Sequence, residues 1–492
     1  MSKLIRQTSI RLGAISLTKA IGFIGRIILT RLIGAEGIGL FQIAYSYFGF
    51  VLLFITGGIP TTLALYTAKD HVLGWIWFKR ISLAFVLLGV GGFYFTFSNA
   101  REISSWMGNA NIYYFLRALS PALFIVPLLS LFRGYLQGIE RYSIIAISEV
   151  IEQLVRVLLM LILCWYFIPQ GIFYAGGISM IGTSLGAATA FAALILISLY
   201  FKNSTTNTSS SDIIMTDLKW FIQSSLAISL TRLLIPLSDM IDAIIIPARL
   251  QVAGYSSNEA TTLFGILTGM TLLVVYMPTL VTAAISHTMT MKLAALWKEG
   301  QSSLFTHYAQ RAIEYAWTWG ATATIFLWIY HYEVSLLFFG TAEPSILIKY
   351  FSIIPFLVGV REVSTSILWS QDRKYVTLIG TFIGITVAAL SHYTLLPFPA
   401  LNIKGAIVGI LLMEGIILIA NMIKTWHIFT ALGYKTILTT GVFVVFSLPL
   451  GLALRELGRK LDWGLLSTLL GMSTYVFCVG CYWFSVRRRA HH

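Results

Sequence analysis

Apolar runs long enough to cross a hydrocarbon layer as helices, at about 20 residues each, recur from near residue 9 to near residue 486 with only short polar interruptions. Such a pattern leaves no soluble domain to carry separate chemistry, so whatever the chain does must be built from helices and short loops. We place about fourteen spans, at residues 9–33, 38–66, 80–98, 112–132, 143–167, 172–200, 219–247, 260–290, 307–330, 346–369, 375–396, 404–425, 436–454 and 463–485. The expected fold is therefore all-α: a polytopic membrane protein. Composition agrees, since 57% hydrophobic residues, 11% charged residues and a mean hydropathy of +0.82 exclude an ordinary soluble balance of surface and interior.

In a soluble protein the formal net charge of +14 would suggest a nucleic-acid partner; here topology accounts for it first. With the N terminus inside, alternate loops collect Lys69, Lys79, Arg80, Arg133, Arg141, Lys292, Lys298, Arg373, Lys374, Lys424 and the tail Arg487 to Arg489. Basic residues are roughly 2.5-fold more numerous on that side, which places both termini in the cytoplasm. The cluster Arg455, Arg459 and Lys460 falls on the other side and is the exception. Cys164, Cys478 and Cys481 all lie inside spans, so no disulfide framework or zinc site follows. Lys19 and Arg26 interrupt the first apolar segment, which is read as a helix rather than a signal peptide.

The longest polar stretch, residues 202–218, contains Asn203 and a run of Ser and Thr, and reads as a flexible cytoplasmic linker. It separates an N-terminal six-helix lobe, residues 1–201, from a C-terminal six-helix lobe, residues 219–430. Residues 431–492 supply two extra helices and a basic tail. A duplication crosses the linker: Leu136-Gln-Gly-Ile-Glu140-Arg141 and Leu368-Trp-Ser-Gln-Asp372-Arg373 stand 232 residues apart in equivalent loops. Gly171 before the sixth span likewise answers to Gly405 before the twelfth. Six crossings restore the starting side, so the lobes are parallel repeats related by an axis along the membrane normal.

An ionisable group at bilayer depth costs about 2.5 to 3.5 kcal/mol on insertion scales, so it persists where it faces water or a partner. On the first helix Lys19 and Arg26 lie within about 20° of each other, with Arg11 about 60 to 80° away. They form a cationic stripe suited to a substrate-facing cavity. On the seventh, Arg232 and Asp239 share a face, with Asp242 about 60° round and Pro236 between the first two. This arrangement suits either an ion or proton site or internal charge balance. On the fifth, Glu149, Glu152 and Arg156 share a face and can form a structural network or a gate. Glu414 on the twelfth has no basic neighbour at one-turn spacing on its own helix, and a neutral buried carboxyl could carry a proton. His287, His331 and His392 sit near span ends and are read as interfacial. No HExxH, phosphate-binding loop or paired-acid motif occurs, so neither a metal, a cofactor nor nucleotide hydrolysis is expected.

The opening run Thr18-Lys19-Ala-Ile-Gly22-Phe23-Ile-Gly25-Arg26, continuing to Arg31, Gly34-Ala35-Glu36-Gly37 and Gly39, resembles the first helix and loop of polysaccharide and lipid II flippases. These belong to the multidrug/oligosaccharidyl-lipid/polysaccharide exporter superfamily, and the likeness is closer to the stage V sporulation protein B branch. Gly57-Gly58-Ile59-Pro60, Arg133-Gly-Tyr-Leu-Gln137-Gly138, Ile151-Glu152-Gln153 with Arg156, and Asp242 to Arg249 through Pro247 support it. The resemblance implies two six-helix lobes around a central cavity, alternating access, and an undecaprenyl-pyrophosphate-linked glycan as substrate. It also implies that Lys19 stands where such lipid II flippases tend to carry a cavity arginine. Their second arginine aligns with Gly25, beside Arg26. A cationic face suits a pyrophosphate, whose charge it compensates during crossing. The alternatives are a cation-coupled small-molecule exporter of the same superfamily, for which acidic cavity groups would be expected, and a polytopic glycosyltransferase, which needs acidic residues in sizeable loops.

Overall fold

The computed structural model describes residues 3–200, 215–430, 434–461 and 465–490. Most of the 202–218 linker, including Asn203 and Asn207, lies outside the described residues. Those described form helices and turns without a strand. Two compact units divide at residue 265, the first Met1–Gly265 and the second Ile266–His492.

The first unit holds α1 (Lys3–Thr56), α2 (Ile59–Lys69), α3 (His71–Ser98), α4 (Ala100–Trp106), α5 (Ile112–Leu119), α6 (Ala122–Gly138), α7 (Tyr142–Phe167), α8 (Ile172–Ser179), α9 (Ile181–Tyr200), α10 (Met215–Val252) and α11 (Ser257–Phe264). A π-helical turn, Gly265–Thr271, starts at the last residue of the first unit, and the second continues with α12 (Leu272–Val275), α13 (Thr279–Lys298), α14 (Ser302–Phe339), α15 (Ser345–Phe351), α16 (Ile354–Ser370), α17 (Lys374–Leu395), α18 (Ile403–Lys424), α19 (Trp426–Thr430), α20 (Tyr434–Leu461) and α21 (Leu465–Ala490).

Each expected span falls on a helix or an interrupted helix. The first lies within α1 and the second runs from α1 into α2; α1 itself breaks at Gly34, where φ is 69° and ψ −173°. That conformation is open to glycine and strained for most other residues. The fourth is α5 and α6 together, bent by 42° at their junction. By length and apolar composition alone nine runs among the described residues qualify as membrane spans, or ten with that bent pair. The chain is thus a multi-pass membrane protein. α10 is not among the nine, consistent with the ionisable residues Arg232, Asp239, Asp242 and Arg249 along it.

The duplicated loop recurs as one backbone turn. Glu140 and Asp372 both take left-handed conformations, with φ of 58° and 61°. In each, the following arginine N–H, of Arg141 or Arg373, donates at 2.9 Å to the carbonyl five residues earlier, of Leu136 or Leu368. Aspartate is among the few residues other than glycine that enter this region readily, and Glu140 takes the same conformation in the first copy. The second pairing differs from expectation: Gly171, φ 112°, caps α8, whereas Asn402, φ 34°, caps α18. Asn402 is therefore the positional equivalent of Gly171, while Gly405 packs closely against Leu395 and Leu396.

Small residues set the helix spacings, as expected where lipid supplies no hydrophobic drive between helices. A Cβ at Gly186 would lie 2.7 Å from the Glu152 carbonyl, and one at Gly182 would lie 2.7 Å from that of Arg156. These two glycines, four residues apart, let α9 press onto α7. Gly186→Leu is expected to separate the two helices, lowering stability by about 1–3 kcal/mol or more. Size-exclusion recovery of monodisperse detergent-solubilised protein checks this; wild-type recovery would deny the packing role.

Candidate functional site

On α1, Gly22 and Gly25 face α7: a Cβ would stand 2.7 Å from Gln153 Nε2 at the former and 2.5 Å from Val157 Cγ1 at the latter. Position 25 is consequently closed to a long side chain. The cation of this helix is instead at Arg26, one residue on, where the backbone aims it elsewhere. Arg26 is half-buried and donates from Nη2 to Gln42 Oε1 at 2.5 Å. Its guanidinium also lies 5.5 Å from the centre of the Phe41 ring, so the second half of α1, beyond Gly34, holds the cation carried by the first. Lys19, on the same helix face, is exposed and forms no hydrogen bond or ion pair with a described residue.

The fields of α10 and α1 meet here. Asp239 is exposed and lies close enough to interact electrostatically with Arg26 and with Asp242. Arg232, also exposed, makes no ion pair among the described residues. Of the two sequence readings for α10, internal pairing of Arg232 with Asp239 is absent; the cation in the field of Asp239 comes from α1. Arg26, Asp239 and Asp242 come together, whereas Arg232 stands apart from them.

A second set of charges is buried between α6 and α7. Glu152 accepts from Arg133 Nη1 at 2.7 Å through Oε2 and from Arg156 through Oε1. Arg133 also donates from Nε to Ser148 Oγ at 3.0 Å. Glu149 lies in the field of Arg133, Arg11 and Glu152, and Arg11 reaches Gln137 on α6 at 3.4 Å. The expected one-helix set of Glu149, Glu152 and Arg156 is thus part of a three-helix network. Arg133 was legible only as a loop cation, because its approach to Glu152 depends on how α6 returns beside α7.

In the second unit Glu414 is buried on α18 and ion-paired: Arg361 Nε of α16 lies 2.6 Å from its Oε2, and Tyr276 donates to its Oε1 at 2.8 Å. The absence of a base on its own helix is made up from another helix. Nearby Asn421, fully buried, accepts from Thr377 and donates to Thr365 Oγ1 at 2.9 Å, tying α16, α17 and α18 together. Arg455, one of the three cations of the Arg455, Arg459 and Lys460 cluster, sits 2.5 Å from Glu333 Oε1 and is therefore neutralised within the protein. His392 is fully buried beside the Ala406 carbonyl at 3.3 Å, not interfacial, because Gly409 leaves room for its ring.

No group of three or more His, Cys, Asp or Glu among the described residues is placed to hold a metal ion. Cys164 is buried, Cys478 half-buried and Cys481 exposed. The chemistry available is charge recognition: an exposed lysine, a fixed guanidinium and two nearby carboxylates.

The profile of the family described as polysaccharide biosynthesis protein matches residues 4–261. Stage V sporulation protein B of Bacillus subtilis (strain 168) is 23% identical over 84% of this chain and 82% of its own length. The lipid II flippase MurJ of the same organism is 28% identical over 41% of this chain and 39% of its own. A solved structure of lipid II flippase MurJ in an inward closed conformation superposes with a TM-score of 0.68 at 12% identity, covering 96% of this chain and 98% of that one. The match spans just over half of the residues, and with it the chain belongs to the polysaccharide biosynthesis protein family, with the fold of solved transporters of the MOP superfamily.

Proposed function

We propose that this protein is a flippase that carries an undecaprenyl-pyrophosphate-linked glycan, lipid II or a related polysaccharide unit, across the bacterial cytoplasmic membrane by alternating access. Its product would serve peptidoglycan, spore cortex or polysaccharide synthesis. The observation that carries the reading is Arg26, held at 2.5 Å by Gln42 on a helix face that also bears the exposed Lys19. A guanidinium already oriented by a neutral amide keeps most of its donors for an incoming anion. The relative named as a lipid II flippase supports the same class of substrate, and the one named as a sporulation protein fits a role in spore formation.

In this reading Lys19, Arg26 and Arg232 bind the pyrophosphate. Asp239, Asp242, Glu149, Glu152, Arg156 and Glu414 serve ion coupling or gating. Residues 1–201 and 219–430 act as the two lobes, joined by the 202–218 linker, with both termini cytoplasmic. A second reading, a cation-coupled exporter, is favoured only by Asp239 and Asp242 lying near Arg26, where an organic cation would find acidic groups.

The deciding experiment measures translocation of lipid II, and of a non-peptidoglycan undecaprenyl-pyrophosphate sugar, in cells depleted of their own flippase and expressing this chain. Rescue of lipid II transport is the expected result. Transport of the other lipid alone would make the protein a polysaccharide flippase, and failure with both would favour the exporter.

A further inference from the structure

Residues some 150 positions apart in the sequence meet at the end of the first unit that contains Gly34. The turn between α4 and α5 presents Asn109, which is 4% exposed. Its Nδ2 donates to Thr261 Oγ1 at 2.9 Å and to Asn258 Oδ1 at 3.4 Å, while its Oδ1 accepts from the Asn111 N–H at 2.9 Å. Beside it Gly108 has φ 86°. Its carbonyl accepts from Ser257 Oγ at 2.6 Å and Gln251 Nε2 at 3.3 Å. The turn thus grips the α10–α11 corner through both neighbouring residues.

The other side of that corner rests on α1 through bare backbone. A Cβ added to Gly265 would lie 2.7 Å from the Gly39 nitrogen and 3.0 Å from its Cα, and one on Gly39 would overlap the Thr261 carbonyl oxygen. Ala260 and Thr261, at the centre, are 0% and 1% exposed. This contact also explains why the first compact unit runs on to Gly265, past the linker.

Two kinds of polar contact therefore coexist in the first unit. The Arg133–Glu152–Arg156 network is charged and buried, so separating its members leaves uncompensated charge. The bonds from the Gly108–Asn109 turn to α11 and Gln251 are all between neutral groups, and water can replace either partner with small net loss. At Gly39 and Gly265 the approach of α1 to this corner is backbone to backbone. Parting this contact strands no charge, in contrast to the Arg133–Glu152–Arg156 network.

We infer that the Gly108–Asn109 turn is a reversible latch, holding the α10–α11 corner shut against α1 and releasing it when the transporter opens at that end. The inference rests on the alternating-access reading, and the sequence assigns this end to the outer face.

The test uses the full chain with Cys164, Cys478 and Cys481 replaced by serine and Ala260→Cys as reporter, in intact cells, and follows labelling by a membrane-impermeant maleimide. In this parent the thiol is buried and labelling is slow. Asn109→Ala removes the bonds to Thr261 and Asn258 and is expected to raise the labelling rate about 5- to 30-fold. Ser257→Ala, which deletes a single hydroxyl, raises it less. Gly39→Ala, whose methyl collides with the Thr261 carbonyl, raises it by blocking closure. Rapid labelling of the parent, or no acceleration in any of the three variants, overturns the latch. Accelerated labelling in a parent that moves no undecaprenyl-linked glycan would leave the latch standing and remove the flippase reading.

Discussion

Glu152→Leu is expected to lower the stability of the protein by about 3–5 kcal/mol, the usual loss when one member of a buried ion-paired set is removed and its partners remain. The carboxylate stands between two guanidiniums, Arg133 and Arg156, whose side chains are 18% and 21% exposed. Without it they repel each other in a space that water barely enters. Thermal unfolding in detergent measures the effect. The companion variant Glu152→Leu with Arg133→Met and Arg156→Met removes all three charges and is expected to recover most of the lost stability, because apolar replacement of a whole buried ion network is often neutral or favourable. Transport then separates the two roles left open for this set. A stable triple variant that transports normally makes the network structural, and a stable one that does not makes it part of the gate. A wild-type melting temperature for Glu152→Leu would mean that the cluster contributes little.

Arg26→Gln is expected to reduce transport of the pyrophosphate-linked substrate by roughly 10- to 100-fold, the range that follows from losing one charge-assisted contact of about 1.5–3 kcal/mol. Its insertion should be normal or better, since removing a charge from membrane depth lowers the cost of insertion. Arg26→Lys is expected to recover only part of the activity. An ammonium satisfied by Gln42 has no fixed fork of donors left for a phosphate, and it loses the guanidinium's contact with the Phe41 ring. Gln42→Ala tests the positioning directly: it leaves the charge in place, so it should weaken apparent substrate affinity more than maximal rate. Equal transport by wild type and Arg26→Gln would take Arg26 out of the substrate path and with it the main support for the flippase reading.

Much of this protein was legible from residue order alone because lipid imposes a one-dimensional rule. A crossing helix must be apolar for about 20 residues, and that requirement shows without knowing any neighbour. The fourteen expected spans accordingly all coincide with helices or interrupted helices, and the Glu140–Arg141 and Asp372–Arg373 repeat reappears as one turn with matching left-handed residues. Breaks were less visible. Gly34 and the Gly57–Gly58 pair were readable as glycines, but the π-helical turn at Gly265–Thr271 has no residue signature and reflects the close approach of Gly265 to α1.

Partners of the charged residues were decided only by the tertiary structure. Spacing along one helix correctly grouped Glu152 with Arg156, since a four-residue separation is a property of the helix itself. It could not supply Arg133 from α6, Gln42 for Arg26, Arg361 for Glu414 or Glu333 for Arg455, because each lies on another segment. The sequence by itself determined which groups are too costly to leave in lipid. Which of them meet depended on glycines such as Gly22, Gly25, Gly182 and Gly186 bringing particular helices within side-chain reach, a distance set by packing in three dimensions.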